Sequence, residues 1–204
     1  VRLTLVTDVL MAPYSGMLPG YVEGHHSLED MHINLLKLAR FAGARLIRRA
    51  VIDIDFDKQN ILLEGGLNLH YDVLSLNNGA VPAPEAIEGT AENGITVKPI
   101  SHFLEKMPDA CELRGDFAVI GGGAAGCELA ISLYHHYQLG AKNISCHLFS
   151  RSDRVLPTAP KRASKLMQQA LKRQNITIHH KSNVKDITSD NIILETGDKI
   201  PAAH

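Results

Sequence analysis

The sequence predicts an α/β fold of two three-layer units, each carrying a β-meander and each incomplete within the chain. Three observations predict it. A strand, a glycine turn, a helix and a second strand succeed one another over residues 117–149, the order of a parallel crossover. A hairpin block at residues 53–66 recurs at 186–197 after the same order of strand, helix and strand. Finally, 204 residues with 45% apolar and 21% charged side chains fit one large or two small domains that bury a core. That balance excludes collagen, coiled coil and disorder. Lys+Arg 21 against Asp+Glu 22 gives a formal net charge of -1, so no global basic field exists to hold nucleic acid.

Val1–Thr7 is a short β-rich run, and Asp8 stands where a parallel strand gives way to a loop. Residues 9–26 hold Pro13, Gly16, Pro19, Gly20 and Gly24, breakers that predict a loop throughout. Ser27 then offers an N-cap, and Met31, Leu35, Leu38, Ala39 and Ala42 recur at helical spacing up to Gly43, which predicts an amphipathic helix. From Val51 the period becomes two, with Ile52, Ile54 and Phe56 on one face, and a meander follows through residues 61–64 and 67–70. Tyr71–Leu76 reads as a further buried strand, closed by Asn77-Asn78-Gly79. The Pro-, Gly- and Ala-rich stretch 80–94 marks a junction, dividing the chain into domains 1–94 and 95–204.

In the second domain, Phe117–Ile120 predicts a strand, residues 124–137 a helix stopped by Gly140, and Ile144–Phe149 a strand. A helix opening near Pro160 repeats Ala163, Leu166, Met167, Ala170 and Leu171 on one stripe. A strand at 176–179 and a second meander over 184–196 complete the pattern. The two meanders match in sequence: Asp53-Ile54 with Asp186-Ile187, and Asn60–Glu64 followed by Gly66 with Asn191–Glu195 followed by Gly197. A duplicated unit explains this, although any two amphipathic hairpins share apolar residues and a turn Asn. On the duplication reading, the first unit lacks an opening strand, glycine turn and helix, the second lacks its last strand, and both termini are interior points of a longer fold.

Gly121-Gly122-Gly123-Ala124-Ala125-Gly126 satisfies G-x-G-x-x-G directly after a strand and before a helix. Such a Rossmann-like turn cradles a dinucleotide: Gly121 allows the tight turn, Gly123 the approach of a pyrophosphate, and Gly126 close helix packing. Free amides and the positive end of the helix dipole hold the phosphates. An acid at the end of the second strand selects NAD, whereas an arginine suits the 2′-phosphate of NADP. Here Ser150, 24 residues past Gly126, is followed by Arg151, with Asp153 the nearest carboxylate, which tilts the choice towards NADP. Arg151 and Arg154 also suit a plain solvated loop.

These residues resemble a known family. GGGAAGCELA at 121–130, with its Glu128, is similar to the glycine-rich segment of the flavin-dependent pyridine nucleotide-disulfide oxidoreductases. YDVLSLNNGAVP at 71–82 is similar to that family's passage from its FAD domain to its NAD(P) domain, although only Gly79 of the usual A-T-G turn is kept. PYSGMLPGYVEGHHS at 13–27 resembles the branch near type II NADH dehydrogenases and sulfide:quinone reductases that often occurs fused to selenophosphate synthetase. The resemblance implies two FAD/NAD(P)-binding units and an enzyme that moves hydride from NAD(P)H to FAD and then to a quinone or another small-molecule electron acceptor. It places the Thr7-Asp8 strand end, Val51 and Gly79 against FAD, with Asp8 or Thr7 in the place of the ribose-binding acid, and Glu128 near the nicotinamide. A first-turn glutamate suits the helix dipole equally well without a ligand.

The family's first glycine turn and its C-terminal cover, which often touches membrane, are not in these residues, so the chain by itself is expected to be colourless and to hold FAD weakly. Peripheral membrane contact through segments outside the chain and a homo-oligomer remain compatible with the resemblance. Cys111, Cys127 and Cys146 form no CxxC pair, which argues against disulfide reduction and for a reducing, cytoplasmic compartment. Adjacent histidines such as His179-His180 point to opposite faces of a strand and do not chelate a metal. No nucleophile elbow stands around Ser15 or Ser75. A non-catalytic NAD(P)-sensing module stays open as the alternative, because its glycine turn would read the same.

Overall fold

The structure, a computed structural model, describes residues 2–80, 87–110, 112, 113, 115–140 and 144–201. Part of the 80–94 junction, Cys111 and the last three residues lie outside the described residues. The chain forms two compact units: residues 1–15 with 28–80, and residues 16–27 with 81–204. Residues 87–94, part of the 80–94 junction, group with the second unit.

In the first unit, β1 (Thr4–Thr7) is followed by β2 (Met11–Pro13). The chain then leaves for the second unit, to which it contributes the helix α1 (Leu18–Val22). On its return, β3 (His32–Asn34) pairs antiparallel with β2, so residues 9–26 are not the continuous loop their breakers predict. Pro13 ends an edge strand and Pro19 sits in a first helical turn, both positions where a missing N–H costs nothing.

Helix α2 (Leu35–Phe41) begins later than Ser27. Its N-cap is Asn34, whose Oδ1 accepts the Lys37 N–H at 3.0 Å. Met31 is fully buried ahead of β3, so its match to helical spacing reflects burial alone. Gly43 takes φ 62 after the helix, as a C′ residue should. β4 (Arg45–Arg48) then pairs parallel with β1.

The first meander is β5 (Val51–Asp55), β6 (Asn60–Leu63) and β7 (Leu67–His70), joined antiparallel. Its buried residues are Ile61 and Leu63 of β6, whereas Ile52 of β5 and Phe56 just beyond it, which share the period-two apolar face, are exposed. Tyr71–Leu76 forms no strand: Val73 is 89% exposed and Leu76 58%. Its apolar composition states a demand for burial, but the two-stranded β1–β4 sheet pairs only internally.

The second unit opens with two short helices, α3 (Thr90–Asn93) and α4 (Ile100–Lys106). Next come β8 (Phe117–Ile120), α5 (Ala124–Gln138), β9 (Cys146–Ser150), α6 (Lys161–Arg173) and β10 (Thr177–His180). The strands form a parallel sheet in the order β10-β9-β8. Helices α5 and α6 pack on this sheet and on each other. The second meander, β11 (Val184–Ile187), β12 (Asn191–Leu194) and β13 (Lys199–Pro201), closes on Phe149 and Ala118 through Ile187, Ile192, Leu194, Val184 and Ile200. Helices, parallel sheet and meander are therefore three layers of a Rossmann-like α/β unit.

The meanders share an irregularity as well as a sequence. β5 shifts register against β6 between Val51 and Asp53, and β11 shifts against β12 between Val184 and Asp186. The residues beyond each bulge pair alike, Asp53 with Leu62 and Asp186 with Ile193. A bulge at the same place in both repeats is what duplication leaves.

Helix α1 packs on α5, burying Leu18 and Val22. Glu23, just beyond it, fixes this packing: its Oε1 accepts the Ser132 hydroxyl at 2.9 Å and its Oε2 lies 3.0 Å from His25 Nε2.

Candidate nucleotide-binding turn

The turn between β8 and α5 is built by three glycines with three different duties. Gly121 adopts φ 130, where a side chain is strained, while its N–H donates to the Phe149 carbonyl at 2.9 Å and ties the turn to β9. A Cβ on Gly126 would strike the Gly121 carbonyl, so the absence of a side chain there lets α5 start tight against its strand. Gly123 has neither problem: its φ is -79, and a Cβ there would meet nothing within 4 Å. The empty space lies outside the protein, on the exposed face shared with Ala124 and Ala125.

No side chain caps α5. Its first intrahelical bond runs from the Cys127 N–H to the Gly123 carbonyl at 3.0 Å, leaving the amides of residues 124–126 without helical acceptors. Donors of this kind at the positive end of a 15-residue helix attract an anion. Glu128, one turn further on, is exposed. Burial first, and then the Glu128 charge, pushes the Cys127 thiol up to about 11; burial pushes Cys146 up to about 12. Both thiols are protonated at neutral pH and poor nucleophiles.

The end of β9 lies beside this turn. Ser150 is 2% exposed, its hydroxyl donates to the Arg154 carbonyl at 3.4 Å, and a Cβ on Gly122 would collide with it. Arg151 is exposed. Arg154 turns back on its own loop, donating from Nη2 to the carbonyls of Pro157 at 2.6 Å and Ala159 at 3.1 Å. One strand over, the Lys181 N–H donates to the Ser152 carbonyl and the Ser182 N–H to the Ser150 carbonyl, each at 3.0 Å. Lys181, exposed and at φ 53, is a neighbour that sequence spacing does not reveal, because it follows the third strand of the sheet and only strand pairing brings it beside the end of the second.

Of the residues expected near a flavin, Asp8 and Val51 both follow the paired strands β1 and β4 of the first unit. Asp8 is exposed after β1, its carbonyl accepts from Arg48 Nε at 3.3 Å, and the Arg49 N–H reaches the Thr7 carbonyl at 2.9 Å, two residues before Val51. Gly79 takes φ 75 in the unpaired stretch after β7, with no described hydrogen bond to either.

The paired histidines separate as strand geometry requires. His179 stacks on Phe149 at 4.5 Å and lies 2.9 Å from His147 Nδ1, while His180 meets Gln168 of α6 at 2.7 Å. Among the described residues no group of three or more His, Cys, Asp or Glu could hold a metal ion, and no helix is long and apolar enough to cross a membrane.

Comparison with known proteins gives the same architecture. Among solved structures, sulfide:quinone oxidoreductase from Aquifex aeolicus superposes with a TM-score of 0.80 at 20% identity, covering 98% of this chain and 51% of the other. NDH2 from Plasmodium falciparum, solved in complex with NADH, gives 0.78 at 17% identity, over 99% of this chain and 48% of that one. Among curated relatives, a probable NADH dehydrogenase of Dictyostelium discoideum is 23% identical over 188 residues, 77% of this chain but 42% of the relative. The type II NADH:quinone oxidoreductase of Haemophilus influenzae is 28% identical over 109 residues, 49% of this chain and 24% of the relative. The chain thus spans less than half the length of these curated relatives. The family model for pyridine nucleotide-disulphide oxidoreductase matches residues 2–204, and with that match over nearly every residue the chain belongs to this family.

Proposed function

We propose that this chain is part of an FAD-dependent NAD(P)H oxidoreductase, with the second unit binding the nicotinamide coenzyme and the first contributing to the flavin site. The observation that carries the reading is the open, uncapped face at Gly123–Ala125, where a diphosphate can approach free amides without meeting a side chain. The residues present fit that group. Gly121 and Gly126 shape the turn, Gly123 leaves room, and the amides of 124–126 supply donors.

FAD, if held by the first unit, would supply a flavin able to take hydride from NAD(P)H and pass electrons to a quinone or another small acceptor. The chain's own residues bind and orient. The turn would fix the diphosphate, and Glu128, exposed in the first turns of α5, would face the nicotinamide end of the coenzyme. In the first unit, Asp8 at the carboxyl end of β1 would accept from a ribose hydroxyl of FAD, with Val51 and Gly79 as further contacts. Cys127 and Cys146 take no part, since their thiols stay protonated and buried.

Gly123→Ala is the decisive variant. Ala fits the backbone and fills only open space, so the thermal midpoint should stay within about 2 °C of the parent. NAD(P)H affinity should fall by about tenfold or more, because the methyl group occupies the diphosphate's approach. Undiminished affinity, or amide signals of residues 121–126 indifferent to both coenzymes in the parent chain, would refute the reading. Hydride transfer from NAD(P)H to added FAD or a dye by the full-length protein separates an enzyme from a coenzyme sensor.

A further inference from the structure

We propose that the end of β9 selects NADPH over NADH, with Arg151 and Lys181 together holding the 2′-phosphate. This rests on the reading of the Gly121–Gly126 turn as the coenzyme site and goes beyond it, because that turn grips a diphosphate common to both coenzymes.

A site for NADH needs an acceptor at the end of the second strand to take the hydrogens of the adenosine ribose. The residue at that position is Ser150, and its hydroxyl is already committed. It is 2% exposed, donates to the Arg154 carbonyl, and is packed so closely on Gly122 that no larger residue fits at 122. The nearest carboxylate in sequence, Asp153, is exposed in the loop three residues later. The strand therefore ends without the charge that rewards a free 2′-hydroxyl.

Cations take its place. Arg154 is not one of them, because its guanidinium braces the loop through the Pro157 and Ala159 carbonyls. Arg151 remains, exposed directly after the buried Ser150. The second cation arrives from the next strand. The Lys181 N–H on the Ser152 carbonyl and the Ser182 N–H on the Ser150 carbonyl stitch the end of β10 to the loop that carries Arg151. Lys181 is exposed, and its left-handed backbone turns the chain at this edge. A planar fork and a point charge on one carboxyl edge of the sheet suit a phosphate dianion better than a ribose hydroxyl. Asp153 opposes them with a single charge.

The test compares NADP⁺, NAD⁺, 2′,5′-ADP and 5′-AMP on the same chain, read from amide shifts at residues 121–126 and 150–154. NADP⁺ and 2′,5′-ADP should bind about tenfold tighter than NAD⁺ and AMP at low salt, with the gap narrowing as salt rises. R151A and K181A should each lower the ratio of NADP⁺ to NAD⁺ affinity by about three- to tenfold. NAD⁺ binding as tightly as NADP⁺ overturns the selectivity while leaving the coenzyme site intact. A ratio untouched by K181A overturns the two-cation site, and failure of all four ligands overturns the coenzyme site itself. The AMP comparison needs no variant and stands even if a substitution disturbs folding.

Discussion

His179 shows how one side chain's surroundings become a property of the whole chain. Burial first, and then the neighbouring His147, hold its imidazole below the ordinary histidine range. The folded chain therefore takes up this proton less readily than the unfolded chain, whose histidine titrates near 6.5. The contribution to stability is complete above that pH and is lost as pH falls through the lowered folded value. His179→Phe keeps a ring against Phe149 and removes the titration. The urea midpoint should then change less between pH of about 7.5 and about 5.5 than it does in the parent, and an equal change would contradict the assignment. None of this was legible beforehand, because sequence gave only the rule that adjacent histidines on a strand diverge. The glycines of the turn were legible as a motif, yet only the structure distinguishes Gly126, which cannot carry a Cβ, from Gly123, which can.

At the scale of elements, legibility followed length and amphipathicity. α5 and α6 run 15 and 13 residues, and their limits match the spacing of apolar residues and the flanking Pro160. Short elements escaped. α1, five residues long with Pro19 and Gly20 inside it, looks like a loop because packing on α5, not propensity, makes it helical. Apolar spacing alone starts α2 too early, because a strand followed by a helix can mimic one longer helix. Asn34 resolves the ambiguity, and Asn34→Ala should cost about 1 kcal/mol in urea unfolding through loss of the bond to the Lys37 N–H. A cost near zero would mean that the β2–β3 ribbon alone sets where α2 begins. Residues 95–116 offered no periodic run long enough to assign, and α4 within them is anchored by just two buried side chains, Ile100 and Phe103.

For the whole molecule, the family, the duplicated plan and the layer order could be read in advance, because each repeats a local pattern. The interleaving of the two units could not: nothing in residues 16–27 names a partner more than 100 positions away. It has a testable cost. A chain restricted to residues 81–204 keeps the sheet but loses Leu18, Val22 and Glu23, uncovering part of α5 and leaving Ser132 without its carboxylate acceptor. Such a truncation should lose a few kcal/mol in denaturant unfolding relative to the 204-residue chain and bind more of a hydrophobic dye. Equal stability would mean that α1 rests on α5 without supporting it.

The same segment imposes a delay on synthesis. Glu23 leaves the ribosome 109 residues before the Ser132 that it will hold. At about 5–20 residues per second, that is a wait of roughly 5–20 s. During it Leu18 and Val22 have no finished surface to cover, although β1, α2 and β4 of the other unit have already emerged. The second unit is thus begun early and closed late, and the nascent chain carries an unsealed apolar turn until Ser132 and its helix have emerged.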